Sequence, residues 1–172
     1  MQRHTIRKHR LFWAWQDDRE EAWLESMSRE GWHLQDVCFL TYTFARGEPQ
    51  EWAYRLDFRP GRDLPQYLAF VQEAGWHYVG SVAGWLYFRL PARSGQPTEL
   101  YTDTEGKIAK YRRVLGVLLL TCPVYGLVVL RRLNHWPPWY ATPLFVLLVA
   151  AVCLYVVALV KLIGRINQLK HN

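Results

Sequence analysis

The chain has 172 residues, with 21 Lys and Arg against 15 Asp and Glu for a formal charge of +6, and 51% hydrophobic residues that include nine Trp. That length holds one domain of about 100 residues plus membrane-length segments. Cys38, Cys122 and Cys153 form no CxxC pair, so neither a disulfide framework nor a zinc site is expected. Residues 1–100 carry 12 basic against 13 acidic side chains and residues 101–172 carry 9 against 2. The basicity therefore belongs to the membrane flanks, and direct nucleic-acid binding is not expected.

Met1 to Arg10 is basic, but no apolar stretch long enough for a signal peptide follows it, so residues 1–100 are expected in the cytoplasm. Arg7 to Gln16 alternates Leu11, Trp13 and Trp15 with Phe12 and Ala14, which predicts a strand largely buried on both faces. Asp17 or Asp18 then offers an N-cap for a helix over 17–30. Ala22, Trp23, Leu24 and Met27 form its apolar contacts, the acidic residues its solvated face, and Gly31 its stop. Adjacent pairs such as Asp17 with Asp18 and Glu20 with Glu21 point about 100° apart on a helix and are poorly placed for acid-base chemistry.

Trp32 to Arg46 is rich in aromatic and β-branched residues, and a turn at Gly47-Glu48-Pro49 precedes an alternating run from Trp52 to Phe58. Asp57 in that run is expected to pair with Arg55 or Arg89. A second helix follows Gly61 and Asp63, with Leu64, Tyr67, Leu68 and Val71 on one face and Gly75 as its stop. Trp76 to Val82 and Trp85 to Leu90 then form a hairpin around Ala83-Gly84, and Pro91 to Pro97 is a linker.

Laid on itself at an offset of 44 residues, the chain places Gly31-Trp32-His33 over Gly75-Trp76-His77, Met27 over Val71 and Phe44 over Phe88. This is a two-copy β-α-β-β repeat over residues 1–97, an α+β domain with a ferredoxin-like tendency towards one antiparallel sheet. A basic connector spans 98–113. Two uncharged apolar runs follow, 114–130 and 139–160, each able to cross a hydrocarbon core of about 30 Å, with an external loop at 131–138 and a basic tail at 161–172. Trp136, Trp139 and Tyr140 would form an interfacial belt beside Pro137 and Pro138. Lys107, Lys110, Arg112, Arg113, Lys161, Arg165 and Lys170 flank one side and only Arg131 and Arg132 the other, so a two-span hairpin with both termini cytoplasmic is expected.

The first ninety residues resemble a bacterial family known as domain of unknown function 2812. The resemblance is carried by Phe12-Trp13-Ala14-Trp15, Glu20-Glu21-Ala22-Trp23-Leu24 with Met27, Gly31-Trp32-His33-Leu34, Tyr54-Arg55-Leu56-Asp57, Gly75-Trp76-His77-Tyr78-Val79-Gly80 and Gly84-Trp85-Leu86-Tyr87-Phe88. It covers Lys8 to about Leu90 and implies a small cytoplasmic domain followed by membrane helices. Such domains accompany PadR-like transcription regulators, which implies a signalling role. The resemblance supplies no activity and no catalytic residues.

His33 and His77 stand at equivalent places in the two repeats and, with Trp32 and Trp76, are the candidate ligand-binding residues. The alternative is that each histidine simply begins a strand. Trp13, Trp15, Trp23, Trp52 and Trp85 could line an aromatic pocket between the repeats or fill the core. No Ser-His-Asp grouping, phosphate-binding glycine loop or metal-ligand spacing is present, so no catalytic residue, cofactor or metal is assigned. The sequence predicts a membrane-anchored binding or sensing module. Its partners would be the bilayer and a cytoplasmic or membrane protein, and the other reading is a small-ligand receptor or enzyme using the aromatic pocket.

Overall fold

In the computed structural model the chain runs β1 (Thr5–His9), α1 (Asp17–Arg29), β2 (Trp32–Cys38), β3 (Thr41–Arg46), β4 (Trp52–Phe58), α2 (Leu64–Glu73), β5 (His77–Val82), β6 (Trp85–Pro91), α3 (Thr104–Leu133) and α4 (Pro138–His171). Residues 4–61, 63–92, 98–101, 104–133 and 138–171 are described, with side chains excepted at 122–125, 128–133, 138–145, 148 and 171. The chain divides into two compact units, Met1–Asp103 and Thr104–Asn172.

The first unit is α+β, and its elements follow the order β-α-β-β twice. The two copies match in detail at the offset of 44. Both helices end on a glycine with positive φ, Gly31 at 82° and Gly75 at 90°. Gly31 N–H donates to the Ser28 carbonyl, and Gly75 N–H to that of Gln72, each at 2.9 Å. Both second strands carry a register shift at equivalent positions, between Leu34 and Asp36 and between Tyr78 and Gly80.

The strands form two three-stranded antiparallel sheets, β1-β3-β2 and β4-β6-β5, instead of the single sheet of a ferredoxin-like arrangement. The bulges give a reason, because the extra residue bends β2 and β5 where they approach, and no ladder joins them. Side chains make the connection instead. Leu34 N–H donates to the Tyr54 hydroxyl at 3.4 Å and Arg89 donates to the Leu34 carbonyl at 3.3 Å. A Cβ at Gly80 would stand 3.4 Å from Val37 Cγ1, so β5 passes β2 at van der Waals distance.

One core gathers Leu24, Met27, Leu34, Val37, Tyr42, Phe44, Tyr54, Leu56 and Tyr87 from α1 and both sheets. A second, under α2, gathers Ala53, Val71, Trp76, Leu86, Phe88 and Leu90. α2 lies as its spacing predicts, with Leu64, Tyr67 and Leu68 packed on that second core.

The first helix departs from expectation. Its buried face is Asp17, Glu20, Glu21, Leu24, Met27 and Ser28, while Ala22 is exposed. The acidic residues therefore extend the apolar stripe and do not form the solvated face. Gln16, not an aspartate, occupies the N-cap, without a side-chain cap bond. The carboxylates are tolerated because β4 is an edge strand whose outward N–H groups need acceptors. Glu21 accepts from Leu56 N–H at 2.8 Å and Glu25 from Tyr54 N–H at 3.3 Å. Residues four apart on a helix rise about 6 Å and residues two apart on a strand about 6.8 Å, so the two rows match. Arg55 then bridges Glu25 at 2.9 Å and Glu99 at 3.4 Å. Asp57 faces Arg59 at 3.7 Å, in place of the expected Arg55 or Arg89.

The expected strand over Arg7 to Gln16 is also displaced. The ladder runs from Thr5 to His9, and beyond Arg10 the chain turns away towards α1, leaving Leu11 54% and Trp13 37% exposed.

In the second unit, α3 and α4 have 30 and 34 residues, about 45 and 51 Å at 1.5 Å per residue. They pack antiparallel. The Tyr155 hydroxyl donates to the Leu118 carbonyl at 3.2 Å, and Tyr111 and Leu162 are buried. Among the described residues, one segment is long and apolar enough to cross a membrane, Val149–Lys170 in α4, with 22 residues and a mean hydropathy of 2.2. It starts later than the expected second span at 139–160, whose first seven side chains are not described. The expected belt residues Trp136, Pro137, Trp139 and Tyr140, and most of the 91–97 linker, lie outside the described residues or side chains.

Candidate functional site

The four sequence-predicted site residues sit in different surroundings. Trp76 is buried in the second core, whereas its counterpart Trp32 lies half-buried on β2 beneath the Arg46 guanidinium, 4.8 Å from its ring. His33 serves structure. Its Nε2 donates to the Glu48 carbonyl at 2.8 Å, and its Nδ1 lies 3.2 Å from Ser28 Oγ. Ser28 in turn donates to the Gln50 carbonyl at 2.9 Å, so the pair pins the β3–β4 connection to the end of α1. The exposed His77 does approach His33 indirectly, since both imidazoles meet Trp52 edge to face, at 6.2 and 6.4 Å. The indole they share also stacks under Arg89, 4.8 Å from its ring, and its N–H is buried without a hydrogen-bond partner among the described residues.

A cavity of about 190 Å³ opens elsewhere, between the two repeats. The first repeat contributes the β1–α1 connection from Arg10 to Ala14, the start of α1 and the β2–β3 turn. The second contributes the β5–β6 turn with Trp85 and Tyr87. Both turns are strained in the same way. Leu40 and Ala83 are the two non-glycine residues with positive φ among the described residues, at 59° and 50°, and both line this cavity. Such conformations persist where the surroundings hold them, and they cluster at binding sites. The rim is apolar and open, with Phe39 73% and Leu11 54% exposed. Of the lining residues, Tyr42 is backed by Trp23, which it meets edge to face at 4.9 Å, and Arg10 stacks 5.1 Å from Phe12.

The inner end is polar. Glu20 is 6% exposed, and its Oε1 accepts two bonds of 2.6 Å, one from the Tyr42 hydroxyl on β3 and one from the Tyr87 hydroxyl on β6. One carboxyl oxygen thus joins the two repeats. Burial pushes the Glu20 carboxyl above its ordinary range, against the two phenol bonds, and Asp17 one turn earlier adds to the rise. Burial and Glu20 also push both tyrosines well above the usual phenol range, so they remain donors. The arrangement can hold a hydrogen-bonding group at Glu20 and an apolar or flat group against the aromatic walls. No cluster of three or more His, Cys, Asp or Glu suited to a metal occurs among the described residues.

Reasoning from sequence passed over Glu20 because it assigned the carboxylates to solvent. The available signal was spacing: stepping back from Leu24 by three, four and seven reaches Glu21, Glu20 and Asp17, all on the stripe that Met27 and Ser28 continue. Trp52 is half-buried and Tyr42 buried, and in the first unit the exposed large apolar residues among those described are Leu11, Trp13, Phe39, Leu40 and Phe70.

Comparison with curated proteins and with solved structures returns no match. Residues 16–122 match a family profile, a span that runs from the N-cap of α1 through the rest of the first repeat and the whole second repeat into α3 and covers more than half of the chain. The chain belongs to the family described as protein of unknown function, DUF2812.

Proposed function

We propose that the protein is a membrane-anchored sensing module of membrane-linked regulation, whose first unit faces the cytoplasm and takes a ligand into the aromatic cavity between its repeats. The observation that carries this reading is the cavity itself. It is assembled by both repeats, walled by aromatics and closed at its inner end by a carboxyl that bridges them. A ligand seated there touches both copies at once and so shifts their relative stability.

The anchor is a pair of spans built from α3 and α4 with both termini cytoplasmic. Its support is the apolar segment Val149–Lys170, exposed apolar residues such as Leu120, Leu127, Val146 and Val160, and the excess of flanking Lys and Arg on the side of both termini. Reporter fusions after Ser94 and after Asn172 test it, and activity of a reporter specific for the outside at Ser94 would overturn the topology. A second reading is favoured by the exposed rim: Leu11, Trp13, Phe39 and Leu40 offer an apolar contact for a protein partner, and tethering raises the effective concentration of both. Alkylation of Cys38, an exposed free cysteine that lines the cavity, decides between the two. Full-length protein in lipid nanodiscs should have Cys38 protected by small aromatic compounds alone. Protection only in the presence of a cross-linked protein selects the partner reading.

A further inference from the structure

Resting on the reading that the cavity is a ligand site, we propose that its ligand is an organic ammonium ion: a primary amine carried on a small apolar or aromatic body. The argument begins at Glu20. Both short bonds it accepts fall on Oε1, from Tyr42 and Tyr87, and Oε2 makes no hydrogen bond among the described residues. Glu20 lines the cavity, so the open position of a buried carboxyl faces space that a ligand can enter. A buried charge is stabilised by a paired opposite charge far more than by solvent reduced to one face.

The surroundings select the sign of the ligand. Asp17, 2% exposed, lines the same inner end, so an anion there would meet two carboxyl groups. Arg10 is the one basic side chain among the lining residues, and its guanidinium stacks near Phe12 and Trp23 at 5.1 Å from each ring, at the aromatic wall. Trp85, Tyr87 and Phe12 add aromatic faces, which attract a cation and accept an apolar body alike. The volume of about 190 Å³ suits a compact ligand. A phenyl or short branched alkyl group on a two-carbon amine places its nitrogen at the carboxyl and its body between the repeats.

The test compares three near-isosteric probes on full-length protein in nanodiscs: 2-phenylethylamine, 2-phenylethanol and phenylacetate. Binding is read by tryptophan fluorescence and by protection of Cys38 from alkylation. The amine should bind roughly ten- to a hundredfold tighter than the alcohol, the range of a charge-assisted hydrogen bond, with phenylacetate weakest. Glu20→Gln keeps an acceptor for both tyrosines, and it should abolish the amine's advantage over the alcohol. Equal binding of amine and alcohol to the unaltered protein overturns the ammonium inference and leaves the cavity as a site. Tighter binding of phenylacetate does the same. Failure of all three probes to bind or protect Cys38 overturns the inference together with the cavity reading.

Discussion

The two repeats share a chain path and differ in what their helices bury. At the offset of 44, the buried Glu20, Glu21 and Leu24 of α1 correspond to Leu64, Pro65 and Leu68 of α2. α2 is an apolar helix laid on one sheet, and Leu64, Tyr67, Leu68 and Val71 pack on the second core. α1 carries Asp17, Glu20 and Glu21 into the interior with Glu25 half-buried beside them: Glu21 and Glu25 supply acceptors to the edge of β4, and Glu20 bridges Tyr42 and Tyr87. The difference teaches that one copy of a repeat can hold the fold while the other is given over to joining the copies and building a cavity.

The contrast is broken most sharply in the cores. Leu24 is 0% exposed, and Leu24→Ala should cost about 2–5 kcal/mol of stability, whereas Leu68→Ala at the half-buried counterpart should cost about 1 kcal/mol. Denaturant midpoints of the two variants measure this, and equal losses would mean that the helices bear equally on the core. The glycine stops should differ too. A Cβ on Gly31 would stand 2.7 Å from the Gly47 carbonyl oxygen, while one on Gly75 meets nothing closer than a Leu90 methyl at 3.5 Å. Gly31→Ala should therefore cost about 2–3 kcal/mol and Gly75→Ala about 1 kcal/mol, read by thermal melts. Next comes Glu21→Ala, which leaves the buried Leu56 N–H without its 2.8 Å acceptor and should cost about 1–3 kcal/mol, with Glu21→Gln restoring part of it.

Much of this fold was legible. The glycine stops, the Ala83-Gly84 turn and the 44-residue repeat follow from backbone requirements that only certain residues meet cheaply, and these leave a local trace. The Phe39-Leu40 turn left none, because Leu40 adopts φ of 59° without the glycine or asparagine that would announce it. The site was hidden for a related reason. Periodicity reads apolar residues as inside and charged residues as outside, so a helix face that buries Glu20 beside Leu24 is split between two faces in the reading. Whether a carboxylate can be buried depends on donors from Tyr42 and Tyr87, 22 and 67 residues away in the chain, and no local pattern in the sequence reports them. His33 and His77, by contrast, were conspicuous as a repeated triplet, and they stand just past the end of α1 and at the start of β5.

The smallest expected effect separates the two roles a buried carboxyl can have. Glu20 is faced by Tyr42 from β3, Tyr87 from β6 and Asp17 one turn earlier, with Arg10 on the connection that lines the same cavity. Burial raises its proton affinity in the folded state above the unfolded value of 4.5. The folded protein then holds this proton more tightly than the unfolded chain does. The stability linked to it is fully present below about pH 4.5 and is lost as pH rises through the folded value. Glu20→Gln keeps the tyrosine acceptor and has no proton to lose. Relative to the unaltered chain it should therefore gain stability between pH 4 and pH 7, which paired denaturation curves at the two pH values measure. Should the unaltered protein instead gain on the variant towards neutral pH, the two phenols would outweigh burial and Glu20 would be a stabilising carboxylate. An ammonium ligand should cancel the penalty at neutral pH by supplying the missing charge, so adding 2-phenylethylamine should bring the two stabilities together.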